Sequence, residues 1–131
     1  MRHVRAIAVL AAAAALALPA AASADTNPTR VAAPSSATWV SSSQINIEVT
    51  LTCEEGTFYS VFARVLQQQG PFTQMFGSGS TSGQCTQKHQ RVALSIWASF
   101  YPGWQLGSAI LDVNACAFTC DSTARSIRID L

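Results

Sequence analysis

Apolar and polar residues alternate along most of this chain, and this pattern restricts the fold more than any other feature. The clearest example is segment 44–53, QINIEVTLTC, in which every second residue is apolar. Successive side chains of a β-strand point to opposite faces, so the segment predicts a half-buried antiparallel strand. The alternation returns in TFYSVFARVLQQQ, HQRVALSIWASF, SAILDVNACA and RSIRIDL. A helix over 59–68 is the rival interpretation of the first of these, and its β-branched and aromatic content argues against it.

With a further short strand at 37–41, the chain has about seven short strands at regular spacing. This spacing predicts an all-β fold, and the first choice is an antiparallel two-sheet sandwich. A small closed barrel is the alternative. The segment GPFTQMFGSGSTSG, residues 70–83, is rich in Gly and Ser and is interpreted as loop and hairpin, with at most a short strand at 73–76.

The first 24 residues have the organisation of a secretory signal peptide. A basic start, MRHVR, precedes the apolar run AIAVLAAAAALAL, and Ala22 and Ala24 form a cleavage signal of small residues. The run is short for a bilayer core, which needs about 20 apolar residues. We therefore expect a signal peptide at 1–24, a flexible N-terminal arm at 25–36 and one domain at 37–131. The mature protein is expected to be secreted, extracellular and without a membrane span.

The charge of the expected mature chain excludes one class of partner. Residues 25–131 carry six Lys or Arg and seven Asp or Glu, which gives a formal net charge of −1. Binding to nucleic acid needs a basic surface that neutralises phosphates, and the sequence has no such stripe. We therefore expect neither nucleic-acid binding nor attraction to anionic membranes.

Four cysteines in the expected mature chain predict two disulfides in an oxidising compartment. Cys53 shares the apolar face of its strand, whereas Cys116 shares a polar face with Asn114. Side chains on opposite faces are poor partners, so the face pattern favours Cys53–Cys85 and Cys116–Cys120. The second bridge requires a turn, because an extended strand would hold residues 116 and 120 about 13 Å apart.

Metal and redox chemistry are not expected of these cysteines. Zinc sites use four ligands at paired short spacings, and His89 is the only mature histidine. Catalytic redox pairs are usually Cys-x-x-Cys in an α/β setting, whereas the pair in NACAFTC is one residue wider. The sequence therefore predicts no cofactor and no metal.

Catalytic side chains are equally difficult to assign from the sequence. His89 lies in the polar segment QKHQR, without a Gly-x-Ser-x-Gly nucleophile motif elsewhere in the chain. Glu54 and Glu55 are adjacent, so on extended backbone they point apart rather than into one cleft. We interpret His89 as a surface residue and the two glutamates as a solvated turn.

A cluster of aromatic residues suggests binding instead. Trp97, Phe100, Tyr101 and Trp104 cluster around the turn YPGW. Such a cluster is a possible binding surface for a glycan or a protein, although Trp97 and Trp104 can also close the end of the core. The segment LQQQGPFTQMF, residues 66–76, is a second candidate contact surface because it places apolar residues in a loop context.

Together these segments resemble a family. VTLTC, VFARVLQQ, SGQC before a Trp-bearing strand, and the final SIRIDL are similar to segments of small secreted actinobacterial proteins of unknown function. The resemblance covers about residues 37–131 and implies an immunoglobulin-like sandwich. It implies no catalytic residues.

The sequence therefore favours a secreted, non-catalytic binding module with an extracellular protein or glycan as partner. One alternative is a hydrolase inhibitor that presents the loop around Cys116 and Cys120, and a protruding, extended conformation of residues 117–119 would favour it. The other is a small extracellular hydrolase that uses His89 or a carboxylate pair, such as Glu54 or Glu55 with Asp112. A cleft lined by His89 or Glu55 beside another polar side chain would favour it.

Overall fold

The structure is a computed structural model that describes residues 28–131, so the expected signal peptide lies outside the described residues. Within this range the chain is all-β and forms eight strands. The strands are β1 (Arg30–Ala32), β2 (Ser36–Ser41), β3 (Gln44–Thr52), β4 (Phe58–Gln69), β5 (Thr73–Gln84), β6 (His89–Ala98), β7 (Gly107–Cys116) and β8 (Cys120–Asp130). Residues 28–131 include no helix of the length and apolarity that a membrane span requires.

Hydrogen bonding closes seven of these strands into a barrel. The order around the barrel is β3, β2, β8, β7, β4, β5 and β6, and β6 pairs back with β3. This closing pair extends along all of β3, from Gln44 opposite Trp97 to Thr52 opposite His89. β1 pairs with the other edge of β3, next to the part that pairs with β2. The β2–β8 pair is parallel, and the other pairs are antiparallel.

The all-β prediction is confirmed, but the immunoglobulin-like two-sheet sandwich is wrong, and the closed barrel is the alternative that the structure adopts. A sandwich keeps two separate sheets, whereas here the pairings form one closed ring of seven strands because β6 pairs back with β3. Sandwiches and barrels both alternate inward and outward side chains. The period-two pattern therefore cannot tell them apart.

The Gly- and Ser-rich segment was expected to be mostly loop, and this expectation is wrong. β5 pairs with β4 over twelve residue pairs, from Phe58–Gln84 to Gln69–Thr73. A Cβ on Gly77 or Gly79 would collide with the backbone carbonyl of Trp97 or Ser95, respectively. The inward glycines therefore let β5 and β6 approach closely where the barrel closes.

The other long strands agree with the alternation. β3, β4, β6 and β7 lie where the pattern placed them, and the helix considered over 59–68 is wrong because those residues belong to β4. β8 begins at Cys120, earlier than the segment RSIRIDL indicated.

Inward side chains of these strands form one core. Its largest fully buried members are Trp104, Ile45, Leu51, Met75, Ile96, Leu111 and Ile129. Complete burial of one such aliphatic side chain stabilises the fold by about 1.5–3 kcal/mol. The apolar face of each strand therefore supplies most of the driving force for closure.

The structure places an ordered strand inside the segment that was expected to be a flexible arm. β1 pairs with β3, and its Val31 side chain is buried. The amide of Val31 donates to Asp121 Oδ2 at 2.9 Å, and the amide of buried Thr29 donates to Thr119 Oγ1 at 2.9 Å. The β1 segment is therefore held by pairing with β3 and by hydrogen bonds to Thr119, just before β8, and to Asp121 of β8.

Both predicted disulfides are present. Cys53–Cys85 is buried and joins residues 32 apart in sequence, whereas Cys116–Cys120 joins directly opposite residues of β7 and β8. In the chain-entropy model the longer loop contributes about 3–4 kcal/mol and the shorter about 2 kcal/mol. The expected turn is also confirmed, because β7 ends at Cys116 and β8 begins at Cys120.

Candidate functional site

The outer face of the barrel carries apolar side chains across β4, β5 and β7. Four outward residues there are 37–52% exposed to solvent: Phe62, Leu66, Phe76 and Ile110. Leu66 of β4 lies directly opposite Phe76 of β5 on one side and Ile110 of β7 on the other. Directly opposite residues of neighbouring strands place their Cβ atoms about 4.5–5.5 Å apart. Leu66, Phe76 and Ile110 therefore form a continuous apolar row across three strands.

The next outward row carries two opposite charges. Arg64 of β4 lies opposite Asp112 of β7, and the Nη2 and Oδ2 atoms are 3.4 Å apart. On β8 the residue opposite Asp112 is Ala124, whose small side chain leaves room beside the carboxylate. Both charged side chains are well exposed, so the pair stabilises the fold by at most about 1 kcal/mol. A ligand can therefore separate or rearrange the pair at a small cost in free energy.

Two adjoining depressions lie along these rows. The first, here called the apolar chamber, has a volume of about 380 Å³ and is lined by Arg64, Val65, Leu66, Phe76, Ile110, Asp112 and Ala124. The second, here called the polar chamber, has a volume of about 260 Å³ and is lined by Phe62, Arg64, Asp112, Asn114 and Ser122. Because Arg64 and Asp112 line both chambers, the two form one groove on the outside of the barrel.

Three of the four aromatic residues expected at a binding surface are exposed. Tyr101 and Trp97 face solvent, and Phe100 is partly covered. The Phe100 ring packs edge to face against Phe76, with 5.3 Å between the ring centroids and 78° between the ring planes. Trp97 of β6 lies opposite Ser78, the residue two positions after Phe76 on β5. Phe100 and Trp97 therefore extend the exposed aromatic surface beyond the apolar chamber.

Trp104 does not belong to this exposed surface, because its side chain is only 2% exposed. Its indole Nε1 donates to the carbonyl of Ile96 at 3.2 Å, and its amide donates to the carbonyl of Ser42 at 2.6 Å. The alternative role in closing the core therefore applies to Trp104 but not to Trp97.

Two glutamines fix the segment that carries Trp104. Gln67, which is buried, donates from Nε2 to the carbonyl of Gln105 at 2.8 Å and accepts the amide of Gln105 at 3.0 Å. Gln69 donates from Nε2 to the carbonyl of Gly103 at 2.7 Å. These bonds join the inner side of β4 to the segment between β6 and β7, and hold Trp104 in the core.

His89 and the two glutamates considered for catalysis lie away from the groove. His89 is exposed on β6, where its Nδ1 is 3.2 Å from Thr52 Oγ1. Glu54 and Glu55 are exposed in the turn between β3 and β4. Across residues 28–131, no group of three or more His, Cys, Asp or Glu side chains is arranged to hold a metal ion.

The disulfide-braced loop is a tight turn. The amide of Ala117 donates to the carbonyl of Thr119 at 2.8 Å, which closes residues 117–119 on themselves. Phe118 at the tip is exposed. Residues 117–119 are therefore turned rather than extended, so this loop gives the inhibitor hypothesis no support.

Sequence reasoning found part of the groove. Leu66 and Phe76 lie in the segment 66–76 proposed as a contact surface, although they belong to strands rather than a loop. It did not find Arg64, Ile110 or Asp112. A usable signal was present, because Leu66 and Ile110 are aliphatic residues at the outward positions of alternating strands. Only the strand register brings these residues together.

In comparisons with known proteins, the chain matches no family model and no curated protein. The resemblance to small secreted actinobacterial proteins therefore stays a prediction.

Proposed function

We propose that this chain is a secreted, non-catalytic binding protein that holds a small, largely apolar ligand in the groove over β4, β5 and β7. The observation that carries the proposal is the apolar row of Leu66, Phe76 and Ile110 beside a chamber of about 380 Å³. Ligand sites commonly have volumes of about 300–1,000 Å³, with apolar walls and a few polar groups that fix orientation.

The energetics of the exposed row support binding. Apolar side chains on the outside of a barrel gain nothing from the core, and covering them releases about 25 cal/mol for each Å² removed from water. A contiguous exposed apolar surface commonly marks an interaction site. The Arg64–Asp112 pair supplies the polar groups that orient a ligand within this apolar setting.

The proposed location rests on separate observations. Residues 1–24 have the pattern of a secretory signal peptide, and the two disulfides are compatible with an extracellular location. A ligand of this protein is therefore sought among extracellular molecules.

The proposal is tested with N-phenyl-1-naphthylamine, an uncharged apolar dye whose fluorescence rises when it leaves water. The wild-type chain is expected to bind the dye, and Ile110→Asp is expected to weaken binding at least tenfold, because a carboxylate replaces the apolar wall. Ile110 is half exposed, so the variant should fold, and its thermal midpoint checks this.

Val40→Asp is the matched control, since Val40 is a β-branched residue of β2 with similar exposure that lines neither chamber. It should bind the dye as the wild type does. Equal binding by all three proteins, or no binding by any, would show that the groove is not the site. Concentration-dependent dimerisation that Ile110→Asp abolishes would show that a second copy of the chain occupies the surface instead.

A further inference from the structure

The two chambers of the groove differ in chemistry although they are continuous. The apolar chamber is walled by the row of Leu66, Phe76 and Ile110, with Ala124 leaving space on β8. The polar chamber is lined instead by the polar side chains of Asn114 and Ser122, together with the ring of Phe62. A molecule that fills both chambers must therefore have an apolar part and a hydrogen-bonding part, and must pass over Arg64 and Asp112.

Within residues 28–131, the polar side chains of the polar chamber have hydrogen-bonding capacity that the fold does not use. Phe62, Asn114 and Ser122 form one outward row across β4, β7 and β8. Asn114 Oδ1 lies 3.9 Å from Cys116 Sγ, but this sulfur belongs to a disulfide and has no proton to donate. The Asn114 amide therefore presents both donors and an acceptor to the chamber, and the Ser122 hydroxyl adds one of each.

The charges of the groove do not favour an ionic ligand. Among residues 28–131, Arg64 and Asp112 are the only charged residues that line either chamber, and they are paired at 3.4 Å. Their charges cancel, so a cationic or anionic head is attracted by one and repelled by the other. A hydroxyl group, in contrast, can donate to the carboxylate and accept from the guanidinium.

From this arrangement, and resting on the proposed binding function, we propose that the ligand is a non-ionic amphiphile. Its alkyl or aryl body lies in the apolar chamber, and its hydroxyl-rich head lies in the polar chamber between Asn114 and Ser122. The Phe62 ring beside these residues provides an apolar face for the C–H side of a sugar-like head.

Calorimetric titrations with n-octyl β-D-glucoside, n-octanol, glucose, octyl sulfate and octylamine test the inference, with amphiphiles kept below micelle-forming concentrations. The glucoside is expected to bind at least tenfold more tightly than octanol, and also more tightly than either ionic compound. Combined Asn114→Ala and Ser122→Ala should reduce glucoside affinity about tenfold, because two hydrogen bonds are lost. The same variant should leave octanol affinity unchanged.

Ser82→Ala is the control, since Ser82 is an exposed outward residue of β5 that lines neither chamber. Its glucoside affinity should equal that of the wild type. Equal affinities for octanol and glucoside would overturn the inference and leave the proposed function standing. Tighter binding of an ionic compound would overturn the charge argument and with it the inference. Binding of none of the five compounds would count against the proposed function itself.

Discussion

At the residue scale, Gln67 shows how the barrel accommodates a polar side chain in its interior. The side chain is buried, yet its Nε2 and Oε1 atoms bond the carbonyl and amide of Gln105. A second carbonyl, that of Ser108, lies 3.4 Å from Nε2. Buried polar groups are tolerated when they are paired in this way. Gln67 therefore links β4 to Gln105, before β7, and to Ser108 at the start of β7.

Gln67→Leu should destabilise the protein by about 2–3 kcal/mol, because the Gln105 amide and the two carbonyls lose the hydrogen bonds that buried Gln67 supplies. Gln74→Leu is the control, since Gln74 is exposed on β5. The control should change stability by less than about 0.5 kcal/mol. Urea unfolding measures both variants, and equal midpoints for Gln67→Leu and wild type would contradict this role.

The exposure of individual aromatic side chains could not be predicted from the sequence. Tyr101 and Trp104 lie three residues apart, and both were assigned to one possible binding surface, yet one is almost fully exposed and the other buried. The difference depends on Trp104 reaching the carbonyl of Ile96 on β6 and the carbonyl of Ser42, which belongs to a distant part of the chain. Composition and periodicity carry no information about such long-range partners.

At the element scale, β5 is the strand that makes closure possible. It pairs with β4 along its whole length, but with β6 only at Gly77–Ala98 and Ser78–Trp97. At Gly77 and Gly79, which point inward, the absence of a side chain lets the β6 backbone at Trp97 and Ser95 lie close to β5. At these inward positions β5 therefore has glycines, where the other strands have apolar side chains.

Gly79→Ala should destabilise the protein by about 2–3 kcal/mol, because its new methyl group would collide with the Ser95 backbone and force β5 and β6 apart. Gly83→Ala is a matched control in the same strand, where the methyl group meets only the end of the Tyr59 side chain. That side chain can move, so the control should change stability by less than about 1 kcal/mol. Thermal unfolding compares the two, and equal losses would contradict the close-approach account.

The predictability of the strands follows from the same physics. β3, β4, β6 and β7 were found because burial of one face imposes an apolar residue at every second position. β5 was missed because its inward positions 77 and 79 are glycines, so the alternation of apolar side chains is absent there. The two disulfides were found because inward Cys53 and outward Cys116 cannot bond across the sheet.

At the scale of the whole molecule, the groove is a product of barrel closure and register. Arg64, Leu66, Ile110 and Asp112 become neighbours only because β4 pairs with β7 in one particular alignment. A shift by one residue would turn all of these side chains inward and expose the core. The sequence therefore contains the groove residues as outward positions, and the topology assembles them into a site.

The central claim is that the groove on β4, β5 and β7 binds the ligand. The most direct test is a ¹H–¹⁵N chemical-shift map of the labelled protein titrated with N-phenyl-1-naphthylamine. The account predicts that the largest shifts lie at the amides of Leu66, Phe76, Ile110 and Asp112. Shifts centred instead on the shallow surface around Trp39, Leu106 and Leu131, or spread evenly over the barrel, would contradict it.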